Sequence, residues 1–152
     1  IWISIIDKDE FTDDIECTIT APDKKLFSGS KYTQTGMLYP FVRVVSGELL
    51  VGVKSGGKYE IPVGDIQLRI DSNKPYTITT SETIVTMLSE ITNPHLAAMD
   101  NLPDEQRKIV KDAFANASTS TAKMFAPYTA TSGERAKAIL SEMTSGKQII
   151  FR

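Results

Sequence analysis

Apolar and polar residues alternate with a period of two through most of the first ninety residues, the pattern of strands with one buried and one solvated face. Ile66, Leu68 and Ile70 fall on one side of such a stretch, and Gln67, Arg69 and Asp71 on the other. The same rhythm predicts strands over Ile1–Ile6, Ile15–Thr20, Phe41–Val45, Glu48–Lys54, Tyr59–Val63, Ile66–Asp71, Tyr76–Thr80 and Thr83–Ser89. Turn residues separate them. Ser46-Gly47 and Ser55-Gly56-Gly57-Lys58 suit hairpins, because Gly adopts positive φ freely. Gly64-Asp65 and Ser72-Asn73-Lys74-Pro75 break the pattern again, an acidic connection runs from Asp7 to Asp14, and Ala21 to Met37 is the longest candidate loop.

After Pro94 the period changes. Leu102-Pro103-Asp104-Glu105 opens a helix, since Pro suits the first turn and the acidic pair complements the macrodipole. Ile109, Val110, Ala113, Phe114 and Ala117 then share one stripe, and Ser118 to Ala122 is expected to end or loosen the helix. A second helix is predicted from Thr131, where Thr131-Ser132-Gly133-Glu134 has capping-box spacing. Its apolar face is Ala136, Ile139, Leu140 and Met143, with Gly146 as its stop. Gln148 to Phe151 reads as a short closing strand. The expectation is an α+β fold: an antiparallel β-sandwich or barrel-like sheet over about residues 1–90, with two appended C-terminal helices and a closing strand. Residues 1–152 form one domain, β-rich over 1–92 and helical over 93–152.

Composition adds exclusions. The chain has 152 residues, 41% apolar and 24% charged, ordinary values for a globular domain. A net charge of −2 and scattered Lys and Arg give no electrostatic footprint for nucleic acid. No apolar run is long enough for a membrane-spanning helix. The chain opens Ile1-Trp2 without an initiator Met. Either a leader has been removed or the chain is a fragment; the first option gives the expectation of a periplasmic or secreted protein.

Candidate chemistry is sparse. The single Cys17 lies in the alternating run Ile15 to Ile19 and reads as a small buried apolar residue. The single histidine, His95, has no ligands at metal spacing. No nucleophile elbow, dinucleotide fingerprint or phosphate loop occurs. Asp7, Asp9, Asp13 and Asp14 offer oxygens to a cation, and Asp7 and Asp9 match the first and third positions of an EF-hand loop. Phe11, Thr12 and Thr18 then stand where an acidic residue or Asn, a Gly and the bidentate Glu are needed, so the motif fails. The aromatics Trp2, Phe11, Tyr32, Tyr39, Phe41, Tyr59 and Tyr76 read as core or cross-strand pairs rather than a stacking platform.

The strand containing Trp2, the Asp13-Asp14 step into the next strand, the Gly47 hairpin with Leu49, Val51 and Val53, and the Arg69-Ile70-Asp71 strand end before Pro75 together carry a likeness. Over Trp2 to Pro75 the chain resembles the VasI-like periplasmic β-sandwich proteins associated with type VI secretion. The resemblance implies an extracytoplasmic sandwich with a binding or accessory role. It does not extend to the helical region after Pro94, and Cys17 stands alone. The functional expectation is a non-enzymatic extracytoplasmic protein that binds another protein through sheet edge and loops, with Asp7, Asp9, Asp13 and Asp14 as candidate contacts and no cofactor or metal. Two alternatives stand beside it. One is an immunity or inhibitor protein presenting an acidic patch to an enzyme. The other is a small hydrolase whose site is assembled from distant residues, His95 or Glu90 among them.

Overall fold

The first four strands follow the alternation. They are β1 (Ile3–Lys8), β2 (Ile15–Thr20), β3 (Leu38–Val45) and β4 (Glu48–Ser55). Each pairs antiparallel with the next. The β3–β4 hairpin closes at Ser46 and Gly47, both at positive φ (49° and 77°), the primed turn whose twist matches that of the strands it joins. The structure is a computed structural model and describes residues 2–8, 10, 15–21, 37–57, 61–85 and 103–152. A fifth strand, β7 (Tyr128–Thr131), pairs with β4, giving the sheet order β1-β2-β3-β4-β7. The second sheet has the order β6-β5-β8, built from β5 (Ile66–Ile70), β6 (Tyr76–Ile78) and β8 (Ile149–Phe151). Among the described residues two helices, α1 (Asp104–Met124) and α2 (Gly133–Ser145), complete the α+β fold in a sandwich-like arrangement.

The core lies between the sheets. Val42, Val51 and Val53 from the first sheet meet Ile66, Leu68, Ile70 and Ile78 from the second, with Ala136 and Ile139 of α2 closing the side. The predicted inward face of β5 and the apolar face of α2 are therefore both in place. Phe41, Leu50 and Ala130 form a smaller cluster on the opposite face of the first sheet, joined by Val45 and Tyr128. The middle of that sheet is buried on both sides, which explains why Tyr39, Phe41 and Val42 are all inaccessible along β3.

Several expectations are corrected. Ile61–Val63 is not a strand: Val63 donates its N–H to the Ala126 carbonyl at 3.1 Å, tying a coil to the segment before β7. Tyr59 lies outside the described residues. Strand β6 stops at Ile78, and Thr80–Glu82 is a 3-10 turn leading into coil at Thr83. Helix α1 does not end at Ser118–Ala122 but runs to Met124. Ile109 on its expected apolar stripe is 68% exposed, and Ala113 and Ala117 are exposed too, so this part of the stripe does not face the core.

Thr131 is no helix cap. It ends β7, and its hydroxyl donates to Glu82 Oε2 at 3.0 Å, while Ser132 takes the N-cap position of α2 without a side-chain cap bond. Gly146 does follow α2, but at φ −78°, not in the left-handed region. Its reason is space. A Cβ there would collide with Ile70 Cγ2 and lie 2.9 Å from the Glu142 carbonyl oxygen.

Candidate functional site

The register of the first sheet decides which side chains share a face. Ile6 opposes Cys17, and Cys17 opposes Val44; Ser4 opposes Ile19, and Ile19 opposes Val42; Lys8 opposes Ile15. Directly opposed residues in an antiparallel sheet project to the same side. These residues therefore belong to the face that carries Val42, Val51 and Val53 into the core. The cover stops short of them, since α2 packs on β4 and the second sheet meets β3 and β4. Beyond Val42 the apolar face runs on in the open: Ile6 is 69% and Ile15 61% exposed, and Ile19 and Val44 are exposed as well. Cys17 sits half-buried among them, as a free thiol rather than the fully buried residue expected.

Strand β1 is also an edge. Its only partner is β2, so its outer row of backbone groups meets no strand among the described residues. An edge normally blunted by charge carries only Asp7 and Lys8 here, both at its far end. An apolar stripe beside an edge strand is a surface that can accept an extended segment through main-chain hydrogen bonds and alternate side chains.

The opposite face of the same strands is closed. Arg43 Nε lies 2.9 Å from Glu16 Oε1 and donates to Thr18 Oγ1 at 3.1 Å. Its guanidinium carbon stands 5.3 Å from the ring centroids of both Phe41 and Tyr128, which meet edge-to-face. Arg43 thus caps the Phe41–Leu50–Ala130 cluster, and its charge is spent on Glu16 and two π-faces.

Of the four acidic candidates, Asp7 is the one that can be placed. It lies within β1, not in the connection after it, and opposes Glu16. Asp9, Asp13 and Asp14 lie outside the described residues, as do His95, Glu90 and most of the Ala21 to Met37 loop. Among the described residues, no group of three or more His, Cys, Asp or Glu is placed to hold a metal ion, and no helix is long and apolar enough to cross a membrane. Sequence reasoning passed over Ile6, Ile15, Ile19 and Val44. A signal was available: Ile3, Ile5 and Ile6 put isoleucine on both faces of β1, which one-sided burial does not require.

A second concavity, of about 310 Å³, is lined by Lys74, Pro75, Tyr76, Thr77, Arg135 and Glu142. Arg135 and Glu142 are already engaged, while Lys74 stands exposed. Arg135 Nη1 bonds Glu82 Oε2 at 2.9 Å and its Nη2 donates to the Thr77 carbonyl, while Glu142 accepts from Tyr76 at 2.5 Å and from Asn73 at 2.9 Å. These contacts tie α2 to β6 and to the 3-10 turn. The arrangement is a brace between elements, not a set of groups held ready for a ligand. No family model, curated protein or solved structure matches this chain.

Proposed function

We propose that this protein is a non-enzymatic binding module that takes an extended, apolar segment of a partner protein onto the edge of β1. The observation that carries the reading is the uncovered end of the core face, with Ile6 and Ile15 exposed beside an edge strand. An added strand would continue the sheet through its backbone. Its alternate side chains would meet Ile6 on one face, and the stripe through Cys17, Ile19 and Val44 lies directly behind. Burying isoleucine side chains of this kind contributes about 1.5–3 kcal/mol each.

The resemblance to VasI-like proteins supports an extracytoplasmic, accessory role for such a module. The acidic-patch alternative gains less. Glu16, which faces Asp7 across the strand pair, has its charge matched by Arg43.

Selection from a random peptide library against the whole chain tests the proposal. The expected winners carry apolar residues at alternate positions and bind as extended segments. Enrichment of helical spacing, or of basic peptides without an apolar alternation, would contradict it.

A further inference from the structure

Strand β5 turns Ile66, Leu68 and Ile70 inward, so Gln67 and Arg69 stand on the outer face of the second sheet. Arg69 opposes Ile150 of β8. Reciprocal backbone hydrogen bonds between Gln67 and Arg152, at 2.9 and 3.1 Å, carry the ladder one step further and set Arg152 opposite Gln67. Arg69 and Arg152 are therefore diagonal neighbours on one face, a relation in which Cα atoms are about 7–8 Å apart and long side chains meet. Both line a cleft of about 240 Å³ with Gln67, Pro75, Ile150 and Phe151.

The two guanidiniums are not neutralised. Gln67 Oε1 accepts from both Nε and Nη2 of Arg152, at 3.0 and 2.7 Å, which fixes that guanidinium and leaves Nη1 unspent among the described residues. The Arg69 guanidinium makes no hydrogen bond or ion pair with any described residue. No Asp or Glu side chain lines the cleft. This is the reverse of the neighbouring concavity, where Glu142 is a lining residue and Arg135 is bound to Glu82. Two like charges side by side over an apolar floor repel each other, and an anion between them removes the repulsion.

We propose that this cleft binds a small phosphate monoester carried on a flat apolar group. A phosphate monoester near neutral pH carries a charge of about −1.5 to −2, which matches two guanidiniums, and its three terminal oxygens can accept from both forks. A carboxylate, with one charge and two oxygens, fits the pair less fully. Pro75 and Ile150 supply the apolar wall for the body of the ligand. The proposal is independent of the β1 edge.

Titration of the whole chain with phenyl phosphate, followed by NMR at backbone amides and arginine Nε–H groups, tests it. Saturable shifts centred on Gln67, Arg69, Ile150 and Arg152 are expected. Arg69→Gln and Arg152→Gln should each weaken binding by about tenfold or more, with thermal midpoints recorded to confirm that each variant folds. Inorganic phosphate and benzoate should each bind about tenfold more weakly than phenyl phosphate. Ile6→Lys should leave the titration unchanged. Shifts that do not saturate, or that scatter over the surface, overturn the proposal. So does undiminished binding by a folded Arg69→Gln, or equal binding of inorganic phosphate or benzoate. A phosphotyrosine peptide binding about tenfold more tightly than phenyl phosphate would overturn the small-molecule assignment in favour of a protein ligand.

Discussion

The Tyr76 hydroxyl donates to Glu142 Oε1 at 2.5 Å, fastening the edge strand β6 to the last turns of α2. Asn73 Nδ2 donates to the other carboxylate oxygen at 2.9 Å. These bonds, Tyr76's first and Asn73's second, hold the Glu142 carboxyl below its ordinary value of 4.5. The same bond, then burial and the Glu142 charge, raises the Tyr76 hydroxyl above 10.0.

Stability should therefore depend on pH at both ends. Glu142 titrates lower in the folded chain, so its contribution is complete above 4.5 and is lost as pH falls through the lowered value. Tyr76 titrates higher, so its contribution is complete below 10.0 and is lost as pH rises through the raised value. Thermal midpoints across pH should place Glu142→Gln below the wild type at neutral pH, with the gap narrowing on the acid limb. A constant gap would show that the pair is not the source.

Ile139 of α2 should matter to the core far more than Ile109 of α1. Ile139 is fully buried between the sheets, and Ile139→Ala is expected to cost about 2–5 kcal/mol in chemical denaturation. Ile109, 68% exposed on α1, should change stability by no more than about 0.5 kcal/mol when replaced by Ala.

Glu82 gathers three elements. Its Oε1 accepts from the Thr79 N–H at 2.8 Å, and its Oε2 accepts from the Thr131 hydroxyl at 3.0 Å and Arg135 Nη1 at 2.9 Å. Glu82→Ala is expected to cost about 1–2 kcal/mol by denaturant titration, because three donors lose their acceptor together. A double-mutant cycle with Arg135→Ala should return a coupling of only about 0.5–1 kcal/mol, since the pair is partly solvated.

The parts legible in the sequence were those with a regular period or an apolar run bounded by turn residues. β2 matches its predicted span and β5 matches within a residue because each alternates, while β3 and β4, buried on both faces in their middle, match within a few residues because their apolar runs flank the Ser46-Gly47 turn. Strand β7 was not legible. Tyr128-Thr129-Ala130-Thr131 is four residues of small and polar character following an Ala-rich helix, and its place in the sheet is set by tertiary contacts. Thr129 Oγ1, for example, lies within 3.0 and 2.8 Å of the Val63 and Gly64 carbonyls. Thr131 misled for a related reason: its spacing to Glu134 suits a cap, but its hydroxyl is taken by Glu82, forty-nine residues upstream. The exposed stripe was hidden because alternation reports which residues share a face, not how far the opposing layer extends over it.

The affinity of the most enriched library peptide for the wild type and for Ile6→Lys, read by fluorescence anisotropy, tests the β1 edge most directly. Ile6 already faces solvent, so the substitution should leave the thermal midpoint in place. The peptide should bind the variant about tenfold more weakly or worse, since a charge would then sit where an apolar side chain must be buried. Equal affinity for both chains would contradict strand addition at β1.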